Sequence, residues 1–582
     1  MFTQDMRGDY VEMMVRDIRL ALRSRLNLLI ALLVAGFSNT LIQIFGVYRY
    51  TYDAYTHMFF ADHYRRDWFS LWDYRWYGGF PVTSYPPLTH QLMALLSFLF
   101  GVEYSYQILS VASSLVLTYS VYLFSKIFLE EDEAEYAAVI ASLLPATGII
   151  LNAFGQLPTV FSTSLSLIAA YSLNSYLSTP SPSVLLRAVL WTVLSGFAHH
   201  FTLVFFFPLI ILLIIVKNIG VRRALVKRTL IYGFLCVALL GAVLKPLIVF
   251  TLSNPPYEEI PHATRHNLFE RPEYAFPFFW GMHSFTVFLL PNAFLIAYRR
   301  KGLRTLLIIF IFFFIMGLGG TTPLPSILLG YVWRILTYDR FAFWAALIYT
   351  PFLAVLISEL GVFIQKYYFG EATSKPNMHA RRLLAAAMIC GLAASFVLAS
   401  MGNFLMKLQP VQTLSREQLC ELAKFLDEHQ EWKYITLGFG SQRLLLSAMT
   451  SAPMFDGGYN QAKTLPIFTK SGVDNVDAAK YFPNGTNLLK SIIESEADNG
   501  LKYVLSADGY YGPYLVDFGL TLIGSVNGSL NVEIWEISHA LRGKYNIQQT
   551  TDPMDQVVWS VFPVSCLLGV LVLEGMRMRV WN

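Results

Sequence analysis

A chain of 582 residues that is 55% hydrophobic and only 14% charged, with a mean hydropathy of +0.47, is too apolar for a water-soluble enzyme and reads as a polytopic membrane protein. Its formal net charge of +4 comes from short basic clusters between apolar runs, a pattern of topology signals that excludes a nucleic-acid surface. The four cysteines, Cys236, Cys390, Cys420 and Cys566, are scattered and give neither a disulfide framework nor zinc spacing.

Residues 1–25 form a polar, amphipathic N-terminus carrying Arg16, Arg19, Arg23 and Arg25. Apolar runs of spanning length then begin near Leu26, Tyr106, Tyr136, Pro158, Val184, Phe201, Thr229, His283, Thr305, Phe341, Leu383 and Val557, about twelve transmembrane helices in all. The stretch from Leu88 to Phe100 follows Pro86-Pro87 and is too short to cross a hydrocarbon core of roughly 30 Å. Charge parity settles its place. If it stays on the outer side as a juxtamembrane or re-entrant helix, the clusters Lys217/Arg222/Arg223/Lys227/Arg228, Arg299/Arg300/Lys301/Arg304 and Arg381/Arg382 all fall on the cytoplasmic side with the N-terminus.

The same parity divides the chain into a cytoplasmic segment 1–25, a transmembrane domain 26–402 with a large first extracytoplasmic loop 48–104, an extracytoplasmic domain 403–556, and a last span with a short tail, 557–582. Helix-like patterns at Ser415–His429 and Thr486–Ala497, with strand-like ones at Lys433–Leu437, Lys502–Leu505, Leu520–Gly524 and Leu530–Ile537, predict an α/β fold for residues 403–556. The expected class is a polytopic α-helical membrane protein with a C-terminal extracytoplasmic α/β domain, integral to a cell membrane or an endoplasmic-reticulum-type membrane.

The first loop concentrates polar chemistry beside a span. Asp53 stands just past the first apolar run, where a carboxylate stays ionised yet reaches a substrate held by its lipid tail, so it is the candidate general base. His57 lies four residues on, one helical turn away. The pair either shares a proton or takes part in a divalent-cation site for Mg or Mn, although one acid and one histidine fall short of a closed metal shell. Trp72, Asp73, Trp76, Tyr77 and Tyr85, mixed with Gly78, Gly79, Pro81, Pro86 and Pro87, read either as an interfacial aromatic belt or as a shaped loop. Outside this loop, Gln156, His199 and His200 fall at span ends on the same side. Arg334, Asp339 and Arg340 precede a later span, and Arg265 lies between His262 and His266. Arginine is the preferred bidentate partner of phosphate, which makes Arg334, Arg340 and Arg265 candidate phosphate anchors. Asp339 and the arginines beside it read equally well as a boundary ion pair.

Together, Asp53, the Trp76–Leu88 run with its Tyr85-Pro86-Pro87-Leu88, and Tyr338-Asp339-Arg340-Phe341 resemble the C-type membrane glycosyltransferases, most of all a branch labelled 6-pyruvoyl-tetrahydropterin synthase-related membrane proteins, a label that implies no pterin chemistry. The resemblance covers about Leu26 to Leu405. It implies inverting transfer of a sugar from a polyprenyl-phosphate donor to a glycan, lipid or protein acceptor, with Asp53 as base, His57 as its partner or a cation ligand, and the C-terminal domain on the acceptor. The chain departs from relatives of that class in having Ala54 rather than a second acid after Asp53, and in having no Trp-Trp-Asp after Asn403, which disfavours a peptide-asparagine acceptor. Two other readings stand beside it, a lipid-glycan transporter or flippase and a non-catalytic assembly protein. Spans nearly free of ionisable residues, apart from Arg187 and Lys245, weigh against transport.

Overall fold

The computed structural model describes residues 25–218, 223–254, 262–369, 378–406, 413–470, 473, 475–543 and 552–580. The amphipathic N-terminus, apart from Arg25, lies outside the described residues, as does Arg222. Among the described residues eight helices are long and apolar enough to cross a membrane, and a ninth span arises if the pair Glu131–Ser142 and Pro145–Ala153, bent by 41°, counts as one. The expected number was about twelve. The runs that began near Pro158, Val184 and Thr305 are helical, as Leu157–Ser178, Pro182–Ala198 and Arg304–Gly317, but the last two have only 17 and 14 residues. Leu157–Ser178 is long enough but rich in Ser and Thr and packed inside protein. Ser164 and Ser166 return their hydroxyls to the carbonyls of Val160 and Ser162, which lets a polar helix sit in an apolar interior.

Buried amides tie the helices together. Asn152 accepts from Gln43 Nε2 (3.1 Å) and donates to Asn39 Oδ1 (3.1 Å) and Ser400 Oγ (3.2 Å), while Asn39 donates to Ser114 Oγ (2.8 Å). Such groups are costly to bury unpaired, so the ladder fixes the relative placement of four helices. The bundle has two distinct ends. At one, Leu28 packs with Tyr122 and Ala134, and Arg300 meets both Glu133 (2.8 Å) and Glu359 (3.3 Å), so the basic cluster and the acidic run gather together. The first helix, Leu26–Ile44, rises from that end and delivers Asp53 to the other.

Beyond it the chain forms a helix, Ala54–Arg66, a small antiparallel pair, β1 (Trp72–Asp73) and β2 (Phe80–Pro81), and the short helix Leu88–Phe100. This short helix buries His90, Gln91, Met93 and Ala94 while exposing Phe98 and Leu99, then breaks at Gly101 before the span Val102–Ser125. Trp76, Tyr77 and Tyr85 are buried, Trp76 stacking on Phe59 with ring centroids 3.6 Å apart, so these aromatics shape a loop rather than a belt at the lipid boundary. The C-terminal part holds a four-stranded sheet in the order β3 (Lys433–Leu437), β4 (Leu501–Ser506), β6 (Val532–Glu536), β5 (Thr521–Val526). The β3–β4 pair is parallel and the others antiparallel, with helices Arg416–Glu428, Gln442–Met449 and Gly485–Glu496 alongside.

This unit is joined firmly to the first loop. Trp76 Nε1 donates to Ser447 Oγ (2.9 Å), the amide of Met454 to the Arg75 carbonyl (2.8 Å), and Arg66 to Ser451 Oγ and the Ala448 carbonyl (2.9 Å each). The last helix, Pro553–Val580, clamps the same loop. Pro563 has no N–H for the carbonyl of Trp559, four residues back, and Gln91 Nε2 supplies a donor there instead at 3.2 Å.

Candidate functional site

Six segments meet at this end of the bundle. The first is the start of helix Ala54–Arg66. Its placement depends on Gly155, at φ +80°, where a Cβ would fall 2.8 Å from both the Ala54 amide nitrogen and Thr51 Oγ1. Only glycine allows that close approach in that conformation. The amide of Asp53 donates to the Phe154 carbonyl (3.1 Å), so Asp53 and Gln156 are set by one stretch of backbone. Asp53 is half-buried, within electrostatic reach of Tyr85.

His57 does not pair with Asp53 through its ring. Its amide donates to the Asp53 carbonyl (3.1 Å), as helix geometry requires, while its Nδ1 lies 3.1 Å from Nε2 of His90. Both rings are buried, which holds both imidazoles below their ordinary pKa, His90 at about 3, and keeps them neutral at pH 7. His57 Nε2 is left without a hydrogen-bond partner, and His90 Nδ1 has only the Pro86 backbone beside it.

Tyr85 stands among the histidines. Its ring centroid is 4.9 Å from that of His90, 5.8 Å from His57, 6.0 Å from His199 and 5.7 Å from His200. Tyr459, from the C-terminal unit, closes over it at 5.0 Å. Burial raises the Tyr85 phenol above its ordinary value, Arg340 pulls it down and Asp53 pushes it up, so the ring sits between a positive and a negative group.

Arg340 is the cation of the site. It stacks on Phe201 with its guanidinium carbon 4.9 Å from the ring centre, and it donates to Thr159 Oγ1 (3.3 Å) and Thr337 Oγ1 (2.7 Å). Its charge reaches His57, His199 and His200. Asp339 does not form the boundary ion pair that its neighbours suggested. It is buried and accepts from Gln156 Nε2 at 2.7 Å.

The remaining candidates lie outside this group. Arg265 gives its guanidinium to the carbonyls of Arg334 and Leu336, and so holds the backbone that leads to Asp339 and Arg340; Arg334 itself is exposed. Asp73 belongs to a separate buried charge network. Arg75 bonds it at 2.7 Å and Asp62 at 2.6 Å, and His63 Nδ1 lies 2.8 Å from Asp73. The Arg75 guanidinium, joined at Asp62 by Arg66 and Arg65, holds Asp73 and Asp62 below the usual carboxylate range despite burial.

The donor set does not make a protein-only cation site for Mg or Mn. Among the described residues no three His, Cys, Asp or Glu side chains are grouped to hold a metal ion, and His57 turns one nitrogen to His90. Sequence reasoning passed over His90, whose signal was an imidazole in an otherwise apolar short helix, and it left Tyr85 without a role.

No protein-family model matches the sequence, and no curated protein matches it. Solved structures do match. ArnT from Cupriavidus metallidurans, bound to undecaprenyl phosphate, is 12% identical, with a TM-score of 0.51 over 88% of this chain and 98% of that one. Arabinofuranosyltransferase AftD from Mycobacteria is also 12% identical, with a TM-score of 0.52 over 87% of this chain and 41% of that one. The fold of this chain is similar to that of these two structures. At such identities the likeness extends to the course of the chain and to no particular side chain.

Proposed function

We propose that the protein transfers a sugar from a polyprenyl-phosphate donor to an acceptor at the extracytoplasmic face. The observation that carries this reading is the meeting of Asp53, Arg340 and a buried neutral histidine pair around Tyr85, at the end of the bundle away from the Arg300–Glu133 cluster. With the basic clusters on the cytoplasmic side, that end faces outward. The ArnT structure with undecaprenyl phosphate supports the donor class, and Tyr338–Phe341 supports placing the chain near the 6-pyruvoyl-tetrahydropterin synthase-related branch.

In this mechanism Asp53 accepts the proton of an acceptor hydroxyl while that oxygen attacks the anomeric carbon. The bond from that carbon to the phosphate oxygen breaks, its electron pair leaves with the polyprenyl phosphate, and back-side attack inverts the anomeric centre. Arg340 stabilises the charge gathering on the departing phosphate, with exposed Arg334 nearer solvent. His57, neutral and hydrogen-bonded to His90, presents Nε2 to the bound molecule. The C-terminal unit, which reaches Tyr85 through Tyr459, contributes to the acceptor side. A glycan or lipid acceptor fits a chain without a Trp-Trp-Asp signature better than a peptide asparagine does.

The test is release of polyprenyl phosphate from a panel of polyprenyl-phosphate sugars by the reconstituted protein. Wild type releases it and Asp53→Asn, equally well folded, does not. Equal release by both removes Asp53 from the mechanism, and no release by either from any donor in the panel moves the protein toward transport or assembly.

A further inference from the structure

We infer that Gln156 and Asp339 form the element that reads the hydroxyl groups of the donor sugar; the inference rests on the proposed transfer reaction and adds a recognition site to it. Gln156 Nε2 donates to Asp339 Oδ2 at 2.7 Å, which fixes the orientation of both side chains. Each then has one oxygen left, Gln156 Oε1 and Asp339 Oδ1, and both atoms are buried without a hydrogen-bond partner. The side chains are sealed in protein, Asp339 at 2% exposure and Gln156 at 9%.

A buried acceptor without a donor has lost its water and gained nothing in return, and a charged one loses most. Two such oxygens on one hydrogen-bonded pair are therefore aimed at a molecule that brings donors. Their location makes the choice of molecule. Asp339 precedes Arg340, and Gln156 follows the Phe154–Gly155 backbone that holds Asp53. A ligand spanning the proposed base and the proposed phosphate anchor passes beside the pair. A phosphate oxygen is repelled by a carboxylate oxygen, so the phosphate belongs at Arg340. What remains to meet Oε1 and Oδ1 is the part of the donor that carries O–H groups, a sugar ring presenting neighbouring hydroxyls. Sites built to hydrogen-bond a substrate hydroxyl also reject the analogue that lacks it strongly, because the protein groups are then left unpaired.

The variant Asp339→Asn separates recognition from folding. Gln156 Nε2 keeps an oxygen to donate to, so the amide places its NH2 group where Oδ1 stood, and an acceptor becomes a donor of the same shape. The experiment measures binding of bare undecaprenyl phosphate, and of undecaprenyl phosphate carrying each of a panel of neutral hexoses and pentoses and two amino sugars, to wild type, Asp339→Asn and Gln156→Met in detergent, with melting temperatures as the folding control. Bare lipid phosphate binds all three proteins within about twofold. At least one sugar-bearing ligand binds wild type about tenfold or more tightly than the bare lipid, and that gain is lost in both variants. A gain that survives Asp339→Asn unchanged overturns the assignment, as does tighter binding only to amino sugars, which would make the pair a cation reader. Failure of bare undecaprenyl phosphate to bind wild type overturns the transfer reading itself and the inference with it. Should Asp339→Asn melt early, Gln156→Met, which removes Oε1 together with the Nε2 donor to Asp339, carries the same comparison.

Discussion

The Nδ1 of His57 lies 3.1 Å from Nε2 of His90, one nitrogen donating and the other accepting, in a pocket closed to solvent on both rings. With both imidazoles neutral the pair needs no counter-charge, whereas a proton on each of the two facing nitrogens would set two donors against each other. Burial enforces the same state and holds His90 down to about 3.

Stability should therefore depend on pH in a definite sense. As the pH falls below about 6.5 the unfolded chain takes up a proton on each histidine that the folded pocket refuses, so the unfolded state binds more protons and stability drops. The contribution of His90 is complete above about pH 6.5 and is lost progressively toward pH 3, at up to roughly 1.4 kcal/mol per pH unit. Melting curves in detergent at pH 7, 6 and 5 check this. Wild type loses melting temperature on acidification and His90→Gln loses less; a wild-type profile as flat as the variant's would mean that the folded pocket accepts the protons.

Gly155 gives a prediction about positioning. Alanine there would bring its Cβ within 2.8 Å of the Ala54 amide nitrogen and push the start of the Asp53 helix away from Gln156. Gly155→Ala is expected to lower the rate of lipid-phosphate release by about a hundredfold or more, the scale at which small misplacements act on a reacting geometry. Gly101→Ala is the control. Its φ of +79° and ψ of 163° lie in a region essentially reserved for glycine, which costs an alanine about 1–3 kcal/mol, but nothing lies within 4 Å of the new methyl, so melting shifts and activity stays. Equal activity losses in the two variants would assign the effect to strain alone.

How far the sequence carried these conclusions varied with the kind of residue. Asp53, His57, Gln156, His199, His200, Asp339 and Arg340 stand out because few ionisable or amide side chains border the spans, and all of them reach one end of the bundle. Their pairing was not legible. The spacing of Asp53 and His57 set both on one helical turn, but the ring went to His90, 33 residues on, because helix Leu88–Phe100 folds back against the first loop. Asp339 sits next to Arg340 and five residues from Arg334 in sequence yet meets Gln156, 183 positions away. The strands Lys433–Leu437 and Leu501–Ser506 were plain in their β-branched and aromatic content, whereas the span count was not, since Leu157–Ser178 conceals its Ser and Thr hydroxyls inside protein where hydropathy expects lipid.

Asp73 illustrates a charge that sequence cannot interpret alone. Its network, Asp62–Arg75–Asp73 with His63, lies between the first loop and the C-terminal unit and is closed to solvent at Arg75 and both acids. Removing one member strands the others, so Arg75→Met should cost about 3–5 kcal/mol, while Arg66→Met at the partly exposed edge should cost about 1 kcal/mol. Limited proteolysis of the purified protein reads the difference: cleavage within 413–543 accelerates strongly for Arg75→Met and little for Arg66→Met. Protection retained in Arg75→Met would show that the packing of Trp76 on Phe59 and its bond to Ser447 hold the joint without the charges.

Arg340 and Arg334 differ in a way that kinetics can separate. Arg340 is half-buried, stacked on Phe201 and held by Thr159 and Thr337, so its guanidinium is already oriented, whereas Arg334 is exposed and its backbone carbonyl is what Arg265 grips. An oriented planar fork loses little freedom on binding phosphate, and lysine cannot reproduce its stacking or its two-pronged geometry. Arg340→Lys is expected to lower kcat/KM for the donor by about a hundredfold, and Arg334→Lys by less than about fivefold, the scale of a solvent-exposed charge that keeps its sign. If charge gathers on the phosphate as the bond breaks, most of the Arg340 loss falls on kcat rather than KM, because the guanidinium then bonds the departing phosphate more strongly than the bound donor. A loss confined to KM would instead make Arg340 a docking residue for the lipid phosphate and leave the stabilisation of the leaving group to another part of the site.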